Sequence, residues 1–210
     1  MRLLHIRPLD EGKRFLLELE DGTELRCGPR EVMDLDLSPG LELEEEALET
    51  LKDACAAYGV RMKAAELLSG RAMSAGELRR KLREKGASPE HAEAAASRML
   101  ELGVIDEAAY GDMVIRRCAA KGYGRRRAEQ ELMRHMVPRE YWETALEGLP
   151  DPEDRLDALI AARLKGTVPD EVQRKKLAAW LQRRGYGWEE IRSALRRLEP
   201  GWDEEKGNES

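Results

Sequence analysis

One pattern recurs along the chain at a spacing of about fifty residues, and it restricts the possible folds more than any other feature. Each copy is a basic amphipathic segment, with Leu82, Leu132 or Leu181 at its centre. The intervals between these leucines, 50 and 49 residues, lie in the range of stacked helical repeats. A unit this small must pack on its neighbours. We therefore predict a mainly α fold, with three tandem three-helix repeats in an elongated, curved array.

The residue that follows each central leucine by four positions differs between the copies. It is Gly86 in the first copy, Met136 in the second and Gly185 in the third. Glycine commonly ends a helix in a left-handed conformation, which other residues adopt less readily. We therefore expect the second helix of the middle repeat to end differently from its two counterparts.

Helix-start signals divide each repeat into three helices. Ser74 with Glu77 three residues later forms a capping box, and Ser88 and Asp151 each precede a proline at the first helical position. Asp106 is a further capping residue. These signals predict the starts of four helices in the repeats.

The turn in the middle repeat carries the most unusual local pattern. Gly122 is placed to end one helix, and Gly124 is an acceptable cap for the next, with Tyr123 between them. Arg125–Arg127 then open the following helix, where the positive end of the helix dipole disfavours cations. Such a run indicates an external partner.

A small β-hairpin module precedes the repeats. The runs 3–6, 14–19 and 23–27 have extended character, and Asp21-Gly22 between the second and third predicts a hairpin with a type I′ turn. The predicted domains are a β module at 1–45, a bridging helix at 44–59, repeats at 60–104, 105–149 and 150–199, and a disordered tail at 200–210.

Charge is distributed unevenly along the chain. Residues 1–60 hold 7 Lys and Arg against 15 Asp and Glu, whereas residues 61–199 hold 28 against 23. A basic body favours a negatively charged partner, although a balanced helical surface would look similar. No apolar run reaches membrane-spanning length. We expect a soluble, cytoplasmic monomer.

Catalytic chemistry is not indicated. The three histidines and three cysteines have no metal-ligand spacing, and no nucleophile elbow, phosphate loop or dinucleotide fingerprint is present. We therefore expect no enzyme activity, no cofactor and no metal.

Basic clusters are the main candidate contacts. The triplets at 79–81, 125–127 and 174–176 are expected to occupy the same place in each repeat and to form a stripe suited to a phosphate backbone or an acidic protein groove. Solubilising surface charge is the alternative. For the two tyrosines, burial as hydrophobic staples competes with base stacking. The candidates are Arg79, Arg80, Lys81, Arg116, Arg117, Lys121, Tyr123, Arg125, Arg126, Arg127, Arg174, Lys175, Lys176, Arg183, Arg184 and Tyr186.

Spaced motifs across 60–198 resemble the RecX family of RecA regulators. They are Ser74-x-x-Glu77-Leu78-x-x-Lys81-Leu82, Leu102-Gly103-x-Ile105-Asp106, Lys121-Gly122-Tyr123-Gly124 with Arg127-Ala-Glu-Gln-Glu131-Leu132, and Arg184-Gly185-Tyr186. The resemblance implies a protein that lies in the groove of the RecA filament on single-stranded DNA. It also implies inhibition of filament growth, ATP hydrolysis and strand exchange, with possible direct DNA contact. A module that binds single- or double-stranded DNA without a filament is the alternative.

Overall fold

The computed structural model describes residues 1–198, so the predicted tail at 200–210 lies outside the described residues. The chain divides into two compact units, Met1–Ile105 and a second unit that begins at Asp106. The first contains β1 (Leu3–Leu9), β2 (Arg14–Leu19), β3 (Glu24–Cys27), α1 (Pro29–Asp34), α2 (Glu45–Gly70), α3 (Ala75–Glu84) and α4 (Pro89–Glu101). The second contains α5 (Glu107–Ala120), α6 (Arg125–Arg134), α7 (Trp142–Leu146), α8 (Pro152–Leu164), α9 (Glu171–Arg183) and α10 (Trp188–Leu198).

The N-terminal strands form an antiparallel sheet in the order β1-β2-β3. The predicted hairpin at Asp21-Gly22 is confirmed, but the predicted turn type is wrong, because Gly22 has a positive φ (83°) and Asp21 does not. Leu19 N–H donates to the carbonyl of Thr23, and the Asp21 side chain accepts from Thr23 N–H at 2.9 Å. A longer loop with one left-handed glycine therefore replaces the two-residue turn.

The sheet packs against α2. Leu3, Leu17 and Cys27 form one buried cluster with Leu51 and Cys55 of that helix. A small sheet is marginal alone, and this shared core supplies the apolar burial that it needs.

Helix α2 is one continuous element of 26 residues. The boundary predicted between a bridging helix at 44–59 and a first repeat from residue 60 falls inside this helix, and no helix ends there. Gly59 lies on the exposed side of α2 with no atom within 4 Å of a Cβ placed there, and α2 contains no proline. A single exposed glycine weakens a helix by about 1 kcal/mol without ending it.

The register set by the three leucines is confirmed, because Leu82, Leu132 and Leu181 are all fully buried. The predicted helix starts are also confirmed. The Ser74 hydroxyl accepts from the N–H of Glu77 at 3.0 Å, which satisfies one of the unpaired donors at the start of α3. Ser88, Asp106 and Asp151 cap α4, α5 and α8 in the same way.

The expectation that α6 ends differently from α3 and α9 is wrong. Met136 adopts a left-handed φ of 54°, as Gly86 and Gly185 do at 92° and 90°. In the middle repeat, Val137 N–H donates to the carbonyl of Leu132 at 3.1 Å, and the equivalent bond closes the other two helices. This bond defines the same helix-ending motif in all three repeats. A non-glycine residue accepts a strain of about 1–2 kcal/mol to retain it.

Candidate interaction surface

The second and third repeats meet through main-chain hydrogen bonds. Gly124 N–H donates to the carbonyl of Arg184 at 2.8 Å, and Arg126 N–H donates to the carbonyl of Gly185 at 3.2 Å. The first N–H groups of a helix lack partners within that helix, and Gly124 has no side chain to supply one. The end of α9 therefore caps the start of α6. The negative end of one helix dipole meets the positive end of another, which is favourable.

Three glycines make this close approach possible. A Cβ at Gly124 would lie 2.8 Å from the carbonyl oxygen of Gly185, and a Cβ at Gly185 would overlap the backbone of Arg127. A Cβ at Gly122 would lie 2.9 Å from Leu159 Cδ2, and Gly122 has the predicted positive φ of 68°. Space requires glycine at Gly124, conformation favours it at Gly122, and both apply at Gly185.

Arginines of the third repeat close the end of α5. Arg184 donates to the carbonyl oxygens of Lys121 and Gly122, the second at 3.3 Å, and Arg155 donates to the carbonyl of Ala119 at 3.0 Å. The Arg184 guanidinium also lies 4.4 Å from the ring centre of Trp180. Cations are favourable at a helix C-terminus. Arg184, predicted as a partner contact, is therefore already engaged inside the second unit.

Sequence reasoning missed one face of α8. Arg155, Leu159 and Arg163 follow one another at intervals of four residues, the spacing that places side chains on one helix face. Leu159 Cδ2 lies close to Gly122. The Arg163 guanidinium lies 4.7 Å from the ring centre of Trp180, the same ring that Arg184 contacts. That spacing is the sequence signal that could have predicted a structural role for this face where the second and third repeats meet.

The two candidate tyrosines differ in exposure. Tyr186 is 3% exposed within the core of the third repeat, and burial raises the pKa of its hydroxyl. Tyr123 is half-buried, with the Arg127 guanidinium 5.5 Å and the Lys121 ammonium 5.9 Å from its ring centre. Tyr186 thus has the buried placement of a staple residue, whereas part of Tyr123 remains accessible.

Six predicted cations besides Arg184 bind acceptors within their own unit. Arg125 donates to both carboxylate oxygens of Glu143 at 2.9 Å and to Glu129 at 3.2 Å. The other five pairs are Arg79 with Glu93, Arg80 with Glu84, Arg127 with Glu131, Arg174 with the carbonyl of Pro169, and Lys175 with Glu171. The carboxylates beside Arg125 offset the unfavourable position of arginine at a helix start.

The three basic triplets do not occupy one shared place. Those of α6 and α9 begin seven residues before their central leucine, whereas the triplet of α3 begins three residues before Leu82. The prediction is therefore wrong for the first repeat. A shift of four residues moves the α3 triplet about one turn along its helix while keeping it near the same face.

A smaller set of cations is available for external contacts. Within residues 1–198, the candidates without a carboxylate, carbonyl or aromatic partner are Lys81, Arg116, Arg117, Arg126, Lys176 and Arg183. Three of them, Arg117, Arg126 and Arg183, lie within two residues of a main-chain group that joins the second and third repeats. We call these three the junction cations. All three are exposed.

Two kinds of site are absent from the described part of the chain. No group of three His, Cys, Asp or Glu side chains there is arranged to hold a metal ion. No helix among residues 1–198 combines the length and apolar character needed to cross a bilayer.

Comparison with known proteins gives consistent matches along the repeats. Models of the first, second and third three-helix domains of RecX match residues 61–99, 106–146 and 151–195. The regulatory protein RecX of Trichlorobacter lovleyi is 33% identical over 138 residues, covering 62% of this chain and 90% of its own. That of Xanthomonas oryzae pv. oryzae strain MAFF 311018 is 36% identical over 136 residues, covering 64% and 85%.

Solved structures agree in fold. A crystal structure of regulatory protein RecX superposes with a TM-score of 0.73 at 18% identity, covering 93% of this chain and 98% of its own. RecX from Lactobacillus salivarius gives a TM-score of 0.58 at 17% identity, with 68% and 96% covered. At these identities the likeness concerns the fold, which includes the three tandem three-helix domains.

Proposed function

Because the chain belongs to the RecX family of regulatory proteins, we propose that it inhibits a RecA-type recombinase by binding in the groove of the RecA filament on single-stranded DNA. Bound there, it blocks filament growth, ATP hydrolysis and strand exchange. The observation that supports this proposal is the main-chain junction of the second and third repeats, with exposed junction cations beside it.

The junction keeps the second and third repeats in a fixed arrangement, which suits a protein that binds along a polymer. Two repeats joined by Gly124 N–H to Arg184 and by Arg126 N–H to Gly185 present their contacts at a fixed separation. A ligand that is already ordered loses less conformational entropy on binding. Contacts to neighbouring subunits then oppose the movements that accompany nucleotide turnover, so inhibition needs no bond to be made or broken by this chain.

The junction cations supply the charge in this proposal. Exposed cations near an interface mainly increase the association rate with a negatively charged partner. Arg117, Arg126 and Arg183 have no intramolecular acceptor among residues 1–198 that a partner would have to displace. Arg125 and Arg127, which are held by carboxylates, contribute less.

Inhibition of the DNA-dependent ATPase of RecA tests the proposal. We expect the double variant R126A/R183A to raise the half-inhibitory concentration by about tenfold. The control is R7A/R26A, which removes two exposed arginines from the β-sheet, one of which, Arg7, pairs with Glu18. The proposal fails if a several-fold molar excess of the unaltered protein leaves the ATPase unchanged.

Direct binding of DNA is the second candidate function. It is favoured by the five cations of the second unit that lack intramolecular acceptors in the described part of the chain: Arg116, Arg117, Arg126, Lys176 and Arg183. Contacts to phosphates weaken steeply as salt rises. Capture on RecA filaments, on RecA alone and on single-stranded DNA alone, at low and moderate salt, separates the two candidates. Capture that persists at moderate salt and requires RecA supports the filament proposal.

Three further properties belong to the same proposal. The protein acts in the cytoplasm as a monomer, and its repeats are bounded at 60–104, 105–149 and 150–199. Analytical ultracentrifugation tests the monomer, and limited proteolysis tests the boundaries near 105 and 150, since exposed connections are cleaved first, whereas residue 60 lies inside α2.

A further inference from the structure

A groove in the first unit lies between α1, α2 and α4 and has a volume of about 440 Å³. Ala54 and Ala57 of α2 and Ala94 and Ala95 of α4 line it with methyl groups. One wall comes from α1, which precedes the residues matched by the RecX domain models. The N-terminal module therefore builds a concave surface together with the first repeat.

Arginines outnumber carboxylates in the lining of this groove. Three arginines line it, Arg30 from the N-terminal module and Arg61 and Arg98 from the first repeat, and His91 lies beside them with its Nε2 3.2 Å from an Asp53 oxygen. Its acidic lining residues are Glu31 and Asp34. A groove lined by three arginines and two carboxylates complements a negatively charged ligand.

The two acidic residues reduce this charge only in part. Glu31 is 8% exposed, accepts from the N–H of Gly28 at 2.9 Å and pairs with Arg61, so both its oxygens are held inside the module. Asp34 pairs with Arg30 at 3.1 Å one helical turn away, where the Arg30 side chain is 78% exposed. A pair so exposed is weak, and a ligand carboxylate can replace Asp34.

Arg98 offers the same chemistry on the opposite wall. Its guanidinium lies 2.9 Å from Glu101 on its own helix, and its side chain is 49% exposed. Two arginines with weak local pairs thus face a groove lined by methyl groups. Arginine binds carboxylates through two parallel hydrogen bonds.

We propose that this groove binds an acidic peptide segment of a partner protein. The aliphatic parts of the glutamate side chains of that segment contact the alanines, and their carboxylates bind Arg30 and Arg98. This site is separate from the junction cations and does not depend on the recombinase function proposed above.

The lining favours a peptide over a nucleic acid. Proteins that bind single strands generally stack bases on aromatic side chains. None of the described residues that line this groove is Phe, Tyr or Trp. Alanine methyl groups instead match the methylene groups of an acidic peptide.

Fluorescence anisotropy with the full chain tests the proposal. The probe is a short fluorescein-labelled peptide of repeating Glu-Glu-Leu, compared with its Lys-Lys-Leu counterpart and with a labelled oligothymidylate. We expect the acidic peptide to bind best. The variant R30E/R98E should weaken its binding by at least about tenfold. The control R26E changes an exposed arginine on β3 outside the groove and should leave binding unchanged.

A second variant keeps the charges and fills the space. Ala94 is exposed on α4, so A94W should fold normally, as circular dichroism would verify, and should abolish peptide binding by occupying the groove. The proposal is overturned if R30E/R98E or A94W binds as the unaltered chain does. It is equally overturned if the basic peptide or the oligothymidylate competes better than the acidic peptide. A concentration-dependent dimer that R30E/R98E abolishes would also overturn it, because the occupant would then be the acidic start of α2 from a second copy.

Discussion

Gly86 in the first repeat and Gly185 in the third end equivalent helices in the same conformation, but their surroundings differ. A Cβ at Gly86 would meet no atom within 4 Å, whereas a Cβ at Gly185 would overlap the backbone of Arg127. The first glycine serves only the left-handed turn. The second also lets another repeat approach, so one sequence position carries two different constraints.

The middle repeat shows that the left-handed conformation can be met without glycine. Met136 holds the same left-handed conformation with a side chain that is partly exposed. The helix-ending motif therefore does not require glycine, although glycine forms it with less strain. Substitutions at these positions and beside them can measure the two contributions separately.

The largest effect is expected for G185A. The new methyl group meets the Arg127 backbone, which cannot move aside as a flexible side chain could, and the left-handed strain is added to this overlap. We expect the free energy of unfolding to fall by more than about 3 kcal/mol, measured by urea denaturation. A loss no larger than that of G86A would contradict the assigned role of the junction.

R184A should have the next largest effect. It removes two hydrogen bonds from a charged donor to the end of α5 and the contact with Trp180. The expected loss is about 2 kcal/mol in the same denaturation experiment. R184K is the control, because lysine keeps the charge but not the planar set of donors, and it should recover only part of the loss.

G86A isolates the conformational strain. With no neighbouring atom within 4 Å of the added methyl group, the loss should be about 1 kcal/mol. The difference between G86A and G185A then measures the overlap at the junction. If the two losses are equal, the close approach contributes nothing to stability.

The smallest effect is expected for M136G, and its sign is reversed. Relief of the left-handed strain exceeds the added freedom of the unfolded chain, so stability should rise by about 0.5 kcal/mol. A rise in the denaturation midpoint at constant slope would verify this. A fall would mean that packing of the Met136 side chain outweighs the strain.

Local signals allowed much of the fold to be predicted from the sequence. The three central leucines gave the repeat register, and Ser74, Ser88 and other capping residues gave the helix starts, because these features depend on residues a few positions apart. Local reasoning failed where nearby residues permit more than one structure. Asp21-Gly22 permits more than one turn, and the boundary predicted at residues 59 and 60 falls inside the continuous helix α2.

The candidate surface was less predictable because its partners are distant in sequence. Arg184 contacts carbonyls more than sixty residues away, and Arg125 binds Glu143 on another helix. Nothing near these arginines distinguishes them from Arg126, which has no side-chain partner among residues 1–198. Composition identified the cations, but only the fold separated those held inside the unit from those available to a ligand.

The junction hydrogen bonds use peptide groups of Gly124, Arg126, Arg184 and Gly185. Every residue except proline carries the same peptide N–H, so the side chain at position 126 can be exchanged for one of different size or charge without removing its bond. This edge of the protein can therefore be retuned toward a different binding target, by evolution or in the laboratory, while the architecture beneath it stays unchanged.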